Sequence, residues 1–285
     1  MTEPMAGLTS RNPWSWYPVV ASRDLLAGKI MPVVLNGENL VVWRSKSGQA
    51  NAWNDRCPHR GMRLSFGATQ NESLICPYHG WTFGSDGYCN KIPAHPDTSP
   101  SRAARARIYP ASESGGYVWV CIGEPASEHP EAVGAAVPVR TIHLPFDVDV
   151  AAAALMLYPL DPNGPGAVPR RADDVEWSVS GSVLSAKAAT TSAPGATFTA
   201  SVLSPGHIAC ELATDGAPAI RYRVLLQPTS AGECAAHLAI EGSEAIGLNR
   251  AIVRFRRIVG VLAQTSDLQT VRDVMLRMTP EEIRV

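Results

Sequence analysis

Cys57-Pro58-His59-Arg60-Gly61 and Cys76-Pro77-Tyr78-His79-Gly80-Trp81 read as C-x-H, sixteen intervening residues, then C-x-x-H. Each segment offers one thiol and one imidazole, and each carries a glycine just after its histidine. Gly61 and Gly80 permit tight turns in which backbone amides can hydrogen-bond a ligand sulfur, and Pro58 and Pro77 stiffen the loops. Buried thiols and satisfied core histidines would have to coincide at all four positions to imitate this spacing, so the pattern reads as a metal site.

The pairing of donor types narrows the metal. Structural zinc sites usually set C-x(2 to 4)-C beside H-x(3 to 5)-H, whereas here each loop mixes one cysteine with one histidine. A Rieske-type [2Fe–2S] centre needs that mixture: two cysteines hold one iron, two histidines replace cysteines on the other, and the neutral imidazoles raise the reduction potential. Cys57, His59, Cys76 and His79 are therefore the expected cluster ligands, with the histidine-bound iron as the exit for the electron. Cys89, Cys121, Cys210 and Cys234 have no such partners nearby and read as small apolar core residues.

Outward from the two loops, Trp14 to about Val120 holds short alternating runs, MPVVL, NLVVWR, ANAWND and YVWVCI, separated by Gly, Asn and Ser. This predicts a small antiparallel β domain, with hairpin turns at LNGEN (35–39) and KSGQ (46–49). The composition then shifts to GEPASEHPEAVGAAVP between Gly123 and Pro138, which reads as a linker. Beyond it TFTASVLS, HIACELAT, IRYRVLLQP and CAAHLAIE alternate apolar and polar residues, the pattern of an antiparallel sheet with one wet face. The Ala/Thr/Ser stretch at 186–197 reads as a surface loop. From Glu244 to Met278 the spacing of Ile246, Ile252, Val253, Phe255, Ile258, Val259 and Leu262 predicts a long helix with one apolar face, interrupted at Thr265 to Asp267.

Composition removes several function classes. Lys+Arg at 25 balance Asp+Glu at 26 with no long run of one sign, which leaves no footprint for nucleic acid or an anionic membrane. No basic n-region with an apolar stretch opens the chain, and no run of some eighteen apolar residues occurs, so the expectation is a cytoplasmic protein that crosses no membrane. Six cysteines are too sparse for a disulfide scaffold. The 45% apolar content supports a sizeable core.

The run from Trp14-Ser15-Trp16-Tyr17-Pro18-Val19 through the two ligand loops and Ile92-Pro93-Ala94 to Gly116-Tyr117-Val118-Trp119-Val120 resembles the Rieske domain of Rieske non-haem iron oxygenase α subunits, over about 110 residues. Within that family it is similar to the ring-hydroxylating, demethylase and ketosteroid-hydroxylase type. The resemblance implies an α+β protein: an antiparallel β Rieske domain with an N-terminal extension at 1–123, a linker at 124–139, and a helix-grip (START-like) antiparallel sheet domain with a long C-terminal helix at 140–285.

Members of that family bind a mononuclear Fe(II) through D-x-x-H-x4-H and a later carboxylate, a facial triad with positions open for oxygen. The best counterpart here keeps the aspartate as Asp161 but places the two histidine positions on Gly164 and Pro169. A register starting at Asp149 puts Ala152 and Leu157 there, and no H-x4-H occurs anywhere in the chain. The late carboxylate falls near Asp267. His143, His207 and His237 lie far apart on strand-like segments and read as ordinary residues with one hydrogen bond; His95 and His129 sit in Pro-rich loops. Mononuclear iron is not expected, and no catalytic residue is assigned.

The resemblance then implies an electron-transferring oxidoreductase component. Its partners would be a catalytically competent Rieske oxygenase α subunit in a trimer-based hetero-oligomer, and an NAD(P)H-dependent reductase or ferredoxin. Two other readings stay open: a self-sufficient oxygenase with unusual iron ligands acting on an apolar ring substrate, and a free-standing Rieske-type electron carrier.

Overall fold

The computed structural model describes residues 15–125, 127, 133–158, 160–161, 175–180, 183–189, 195–204, 206–242, 245–266 and 268–270. It divides into two compact units, one of Pro13–Ala132 and one running from Val133.

The first unit is built from short antiparallel strands. These are β1 (Tyr17–Ala21), β2 (Ile30–Leu35), β3 (Glu38–Arg44), β4 (Ala50–Asn54), β5 (Ala68–Gln70), β6 (Ser73–Ile75), β7 (Thr82–Gly84), β8 (Cys89–Lys91), β9 (Ile108–Tyr109), β10 (Ala111–Ser114) and β11 (Tyr117–Val120). They form three sheets, ordered β1-β11-β10, β2-β3-β4-β9 and β5-β6-β7-β8. The predicted LNGEN turn joins β2 to β3: Asn36 and Gly37 both take positive φ, 51° and 84°, as a two-residue hairpin of right-handed twist requires. The three-residue strands β5 to β8 lie between the ligand loops and the following turns, too short to show an alternation.

One ion pair ties β3 to β10 in this unit. The Arg44 guanidinium donates through Nη1 and Nη2 to the two Glu113 carboxylate oxygens, each at 2.7 Å, and Ser22 Oγ donates to the same carboxylate at 2.6 Å. The hydrogen bonds from Arg44, helped by Ser22 and opposed by burial, hold the Glu113 carboxyl below its ordinary value. A depressed carboxyl stabilises the fold above the unfolded-state pKa near 4.5, and that contribution disappears as pH falls through the lower folded value. Because Glu113 is 38% exposed, the pair is worth about 1 kcal/mol. Glu113→Gln should therefore be about that much less stable than the parent at pH 7 by urea denaturation, with the gap closing below about pH 4.5.

The second unit contains β12 (Val137–Leu144), α1 (Val148–Leu157), β13 (Glu176–Ser180), β14 (Val183–Ala189), β15 (Thr197–Ser204), β16 (His207–Thr214), β17 (Ala217–Pro228), β18 (Cys234–Glu241) and α2 (Ala245–Leu262). The strands make one antiparallel seven-stranded sheet, ordered β12-β18-β17-β16-β15-β14-β13. Alternate residues from each strand face a shared core: Leu184 and Ala186, Phe198 and Ala200, Ile208 and Cys210, Tyr222 and Val224, Ala236 and Leu238. α1 and α2 supply the other side, with Ala151 to Leu157 and with Leu248, Ile252, Phe255 and Val259. The class is thus α+β: one unit is antiparallel β, and the other is a helix-grip sheet.

Several local expectations are corrected. Residues 186–189, read as part of a surface loop, continue β14 with buried Ala186 and Ala188 alternating with exposed Lys187 and Ala189, because pairing with β15 overrides a composition of small residues. Val253, placed on the apolar helical face, is 39% exposed; Leu248 and Ala251 share the buried side instead. The helix stops at Leu262 in a turn, where Thr265 Oγ1 accepts from the Leu268 amide at 3.3 Å and so caps the next helical residues. β12 begins at Val137, inside the stretch read as linker.

Candidate metal centre

The two motif loops have the same backbone. In the first, Cys57 N–H donates to Met62 O at 2.8 Å and Gly61 N–H donates to Cys57 O at 2.8 Å. In the second, Cys76 N–H donates to Trp81 O at 2.8 Å and Gly80 N–H donates to Cys76 O at 3.1 Å. Each glycine sits four residues after its cysteine with positive φ, 72° and 67°, a conformation that costs a side-chain-bearing residue about 1–2 kcal/mol. Histidine occupies the second position after the cysteine in one loop and the third in the other. Within one shared backbone frame, that offset lets the two rings approach from opposite loops.

The first loop leaves β4 and the second bridges β6 to β7. Asp55, buried at the start of the first, accepts from Ser65 N and Ser65 Oγ, both at 2.7 Å, which anchors the loop where it re-enters the core. Pro93, in the Ile92-Pro93-Ala94 segment, lies so close to Gly80 that a Cβ there would come within 3.0 Å of its ring.

The four donors fall into two pairs. Cys57 and Cys76 are both buried, 3% and 2% exposed, with Trp43, Trp53, Leu64, Leu74 and Phe83 packed in the same apolar cluster. Burial pushes the Cys57 thiol up to about 11, against the pull of the His59 and Arg60 amides aimed at its sulfur. His59 and His79 lie at the exposed edge with their Nδ1 atoms 3.1 Å apart. Loss of hydration, then the facing His79 and Arg60, holds His59 below the ordinary imidazole value. Among the described residues no group of three or more His, Cys, Asp or Glu side chains gathers as the donors of one ion. Two thiols inside and two imidazoles at the rim instead suit a binuclear group with one sulfur-bound and one nitrogen-bound iron.

Aromatic rings complete the rim. The Trp81 ring stacks on His59 with centroids 4.2 Å apart and planes within 4°, and Tyr78 stacks on His79 at 3.9 Å and 24°. Both residues stand inside the motif, yet spacing alone assigned them no part; the Asp55–Ser65 contact likewise had no sequence signal.

The remaining candidates are dispersed. Asp161 is buried, its backbone carbonyl accepting from Arg254 Nη2 at 3.1 Å, while Gly164, Pro169 and Asp267 lie outside the described residues, as does His129. The Asp149 register places Ala152 and Leu157 on α1, both in the core. His237 is fully buried with both nitrogens engaged, Nδ1 with Thr141 Oγ1 and Nε2 with Gln227 Oε1, each at 2.9 Å. His143 is exposed on β12 and His207 is buried on β16. Cys89, Cys121, Cys210 and Cys234 are buried free thiols.

Comparison with known proteins agrees with this geometry. Residues 15–110 match the family described as the Rieske [2Fe-2S] domain. The oxidoreductase NdmD of Pseudomonas putida is 42% identical over 114 residues, covering 40% of this chain and 19% of that protein. The oxygenase subunit of 3-chlorobenzoate-3,4-dioxygenase from Comamonas testosteroni is 38% identical over 122 residues, 42% of this chain and 28% of that protein. The chain thus aligns with less than a third of the length of either relative. Among solved structures, NdmA of Pseudomonas putida CBB5 with caffeine superposes with a TM-score of 0.71 at 18% identity, covering 95% of this chain and 90% of that one. Dicamba monooxygenase with non-heme iron and dicamba gives 0.69 at 19%, covering 96% and 98%. The first unit is a Rieske domain, a class that carries a [2Fe–2S] cluster. The chain as a whole has the fold of the Rieske oxygenases.

Proposed function

We propose that this chain is the electron-transferring Rieske subunit of a heteromeric oxygenase system, with Cys57, His59, Cys76 and His79 as the cluster ligands. When bound, the cluster supplies one-electron transfer at a potential raised by imidazole ligation. The chain's own residues divide the work: the cysteines sit in the dry interior with amides aimed at the Cys57 sulfur, and the two imidazoles sit at the rim, where a redox partner can come close. The observation that carries the reading is the complete two-plus-two donor set beside a D-x-x-H-x4-H counterpart whose histidine positions are Gly164 and Pro169.

In this reading an NAD(P)H-dependent reductase or ferredoxin delivers electrons, and a partner α subunit with an intact triad holds the mononuclear iron, in a trimer-based assembly in the cytoplasm. Six free cysteines accord with a reducing compartment. Among the described residues no helix is long and apolar enough to cross a membrane. The engagement of both His237 nitrogens speaks against that residue as a substitute iron ligand.

The test is complementation. The chain is mixed with a triad-bearing α subunit whose own cluster cysteines have been replaced, together with its reductase and NADH. Restored product formation supports the proposal; hydroxylation by this chain and reductase without the α subunit overturns it. That second outcome is the expectation of the self-sufficient oxygenase reading, which the likeness in fold to dicamba monooxygenase across 96% of the chain favours.

A further inference from the structure

The counterpart of the iron-binding segment begins at Leu160 and Asp161, and side chains from two different elements hold these two residues. From the sheet, the Tyr222 hydroxyl on β17 accepts from the Leu160 N–H at 3.0 Å. From the helix side, Arg254 on α2 donates through Nη2 to the Asp161 carbonyl at 3.1 Å. Leu160, Asp161 and Tyr222 are buried, as is Tyr158 just before them. A backbone N–H or C=O in such an interior carries its full desolvation penalty unless a partner meets it. Burial, opposed by Arg254 and helped by Asp161, holds the Tyr158 hydroxyl above its ordinary value, so both charges act within one enclosure.

The side chains gathered here do not suit Fe(II). Such an ion takes imidazoles with a carboxylate and keeps positions open. The group that α2 brings to Asp161 is instead a permanently charged guanidinium, which repels a dication at short range in an interior of low dielectric.

We propose that Tyr222 and Arg254 form a metal-independent clasp, which does for this segment what bound iron does in a triad-bearing α subunit: it fixes the backbone against the sheet and α2. The two contacts arrive from opposite sides of the core shared by sheet and helices, so a displacement of the segment toward either side breaks one of them. The inference rests on the electron-transfer reading above, because a subunit that leaves the iron to its partner still has to order this buried stretch of chain.

Hydrogen–deuterium exchange read by mass spectrometry tests the clasp on the full-length, cluster-loaded chain, in peptides spanning residues 158–161 and, for reference, β15. In the parent, exchange at 158–161 should be the same with and without Fe(II) added anaerobically. Tyr222→Phe removes one hydroxyl, keeps the ring, and should raise the rate there about fivefold, the equivalent of one neutral hydrogen bond. Arg254→Met should raise it about tenfold or more, the equivalent of one charge-assisted bond, and β15 should exchange as before in both variants. If Arg254→Met does not fold, Tyr222→Phe alone decides. Exchange in Tyr222→Phe equal to that of the parent overturns the clasp and leaves the electron-transfer reading standing. Exchange in the parent that slows when Fe(II) is added overturns both, so the two failures are distinguishable.

Discussion

His79→Ala should yield a colourless chain: the visible absorption and the reduced-state EPR signal disappear, and the iron content falls below half that of the parent. In the proposed ligand set His79 shares the outer iron with His59 alone, and the two Nδ1 atoms are 3.1 Å apart. Removing it leaves that iron one protein ligand short in an exposed position, and the binding energy of the cluster is part of what orders the loops. His95→Ala, an exposed residue in a neighbouring loop, is the control and should keep the parent spectrum. A normal spectrum in His79→Ala would refute the assignment.

Phe255→Ala should destabilise the second unit strongly, costing about 3–5 kcal/mol in urea denaturation followed by far-UV circular dichroism. Its ring is fully buried on α2, packed with Tyr158 at 6.0 Å between centroids, within the core that joins both helices to the sheet. That is a large part of the net stability of a domain. Val253→Ala, two residues earlier on the same helix but 39% exposed, should change stability by no more than about 0.5 kcal/mol. Equal effects of the two substitutions would contradict the packing described for α2.

The candidate site was legible before any coordinates because its chemistry is local. Two loops of five or six residues carry all four donors, and their glycines announce the turns. What spacing could not show is that both loops share one backbone frame, or that Tyr78 and Trp81 lie flat on the histidines, since stacking depends on where the second loop meets the first. The sheet of the second unit was also readable, because β15 and β16 bury alternate residues and so alternate in sequence. α1 was not. Its residues 151–157, AAAALML, are buried on every side, so they carry no periodic contrast, and a helix without a polar face is invisible to a period-based reading. The helix α2 was found, and the interruption read at Thr265 to Asp267 falls within a few residues of the turn that follows Leu262, which depends on hydrogen bonds of Thr265 and not on any helix-breaking residue; Met278 lies outside the described residues.

The pH dependence of Glu113 tests how the Rieske unit is built; the division of labour with a partner subunit is tested by stoichiometry. Iron and acid-labile sulfide should be counted per chain on anaerobically purified protein, with EPR of the reduced sample and a titration for additional Fe(II). The account predicts two irons and two sulfides, a Rieske signal, and no third iron taken up. A third iron per chain would contradict it, and would mean that this chain assembles its own mononuclear site and acts as an oxygenase by itself.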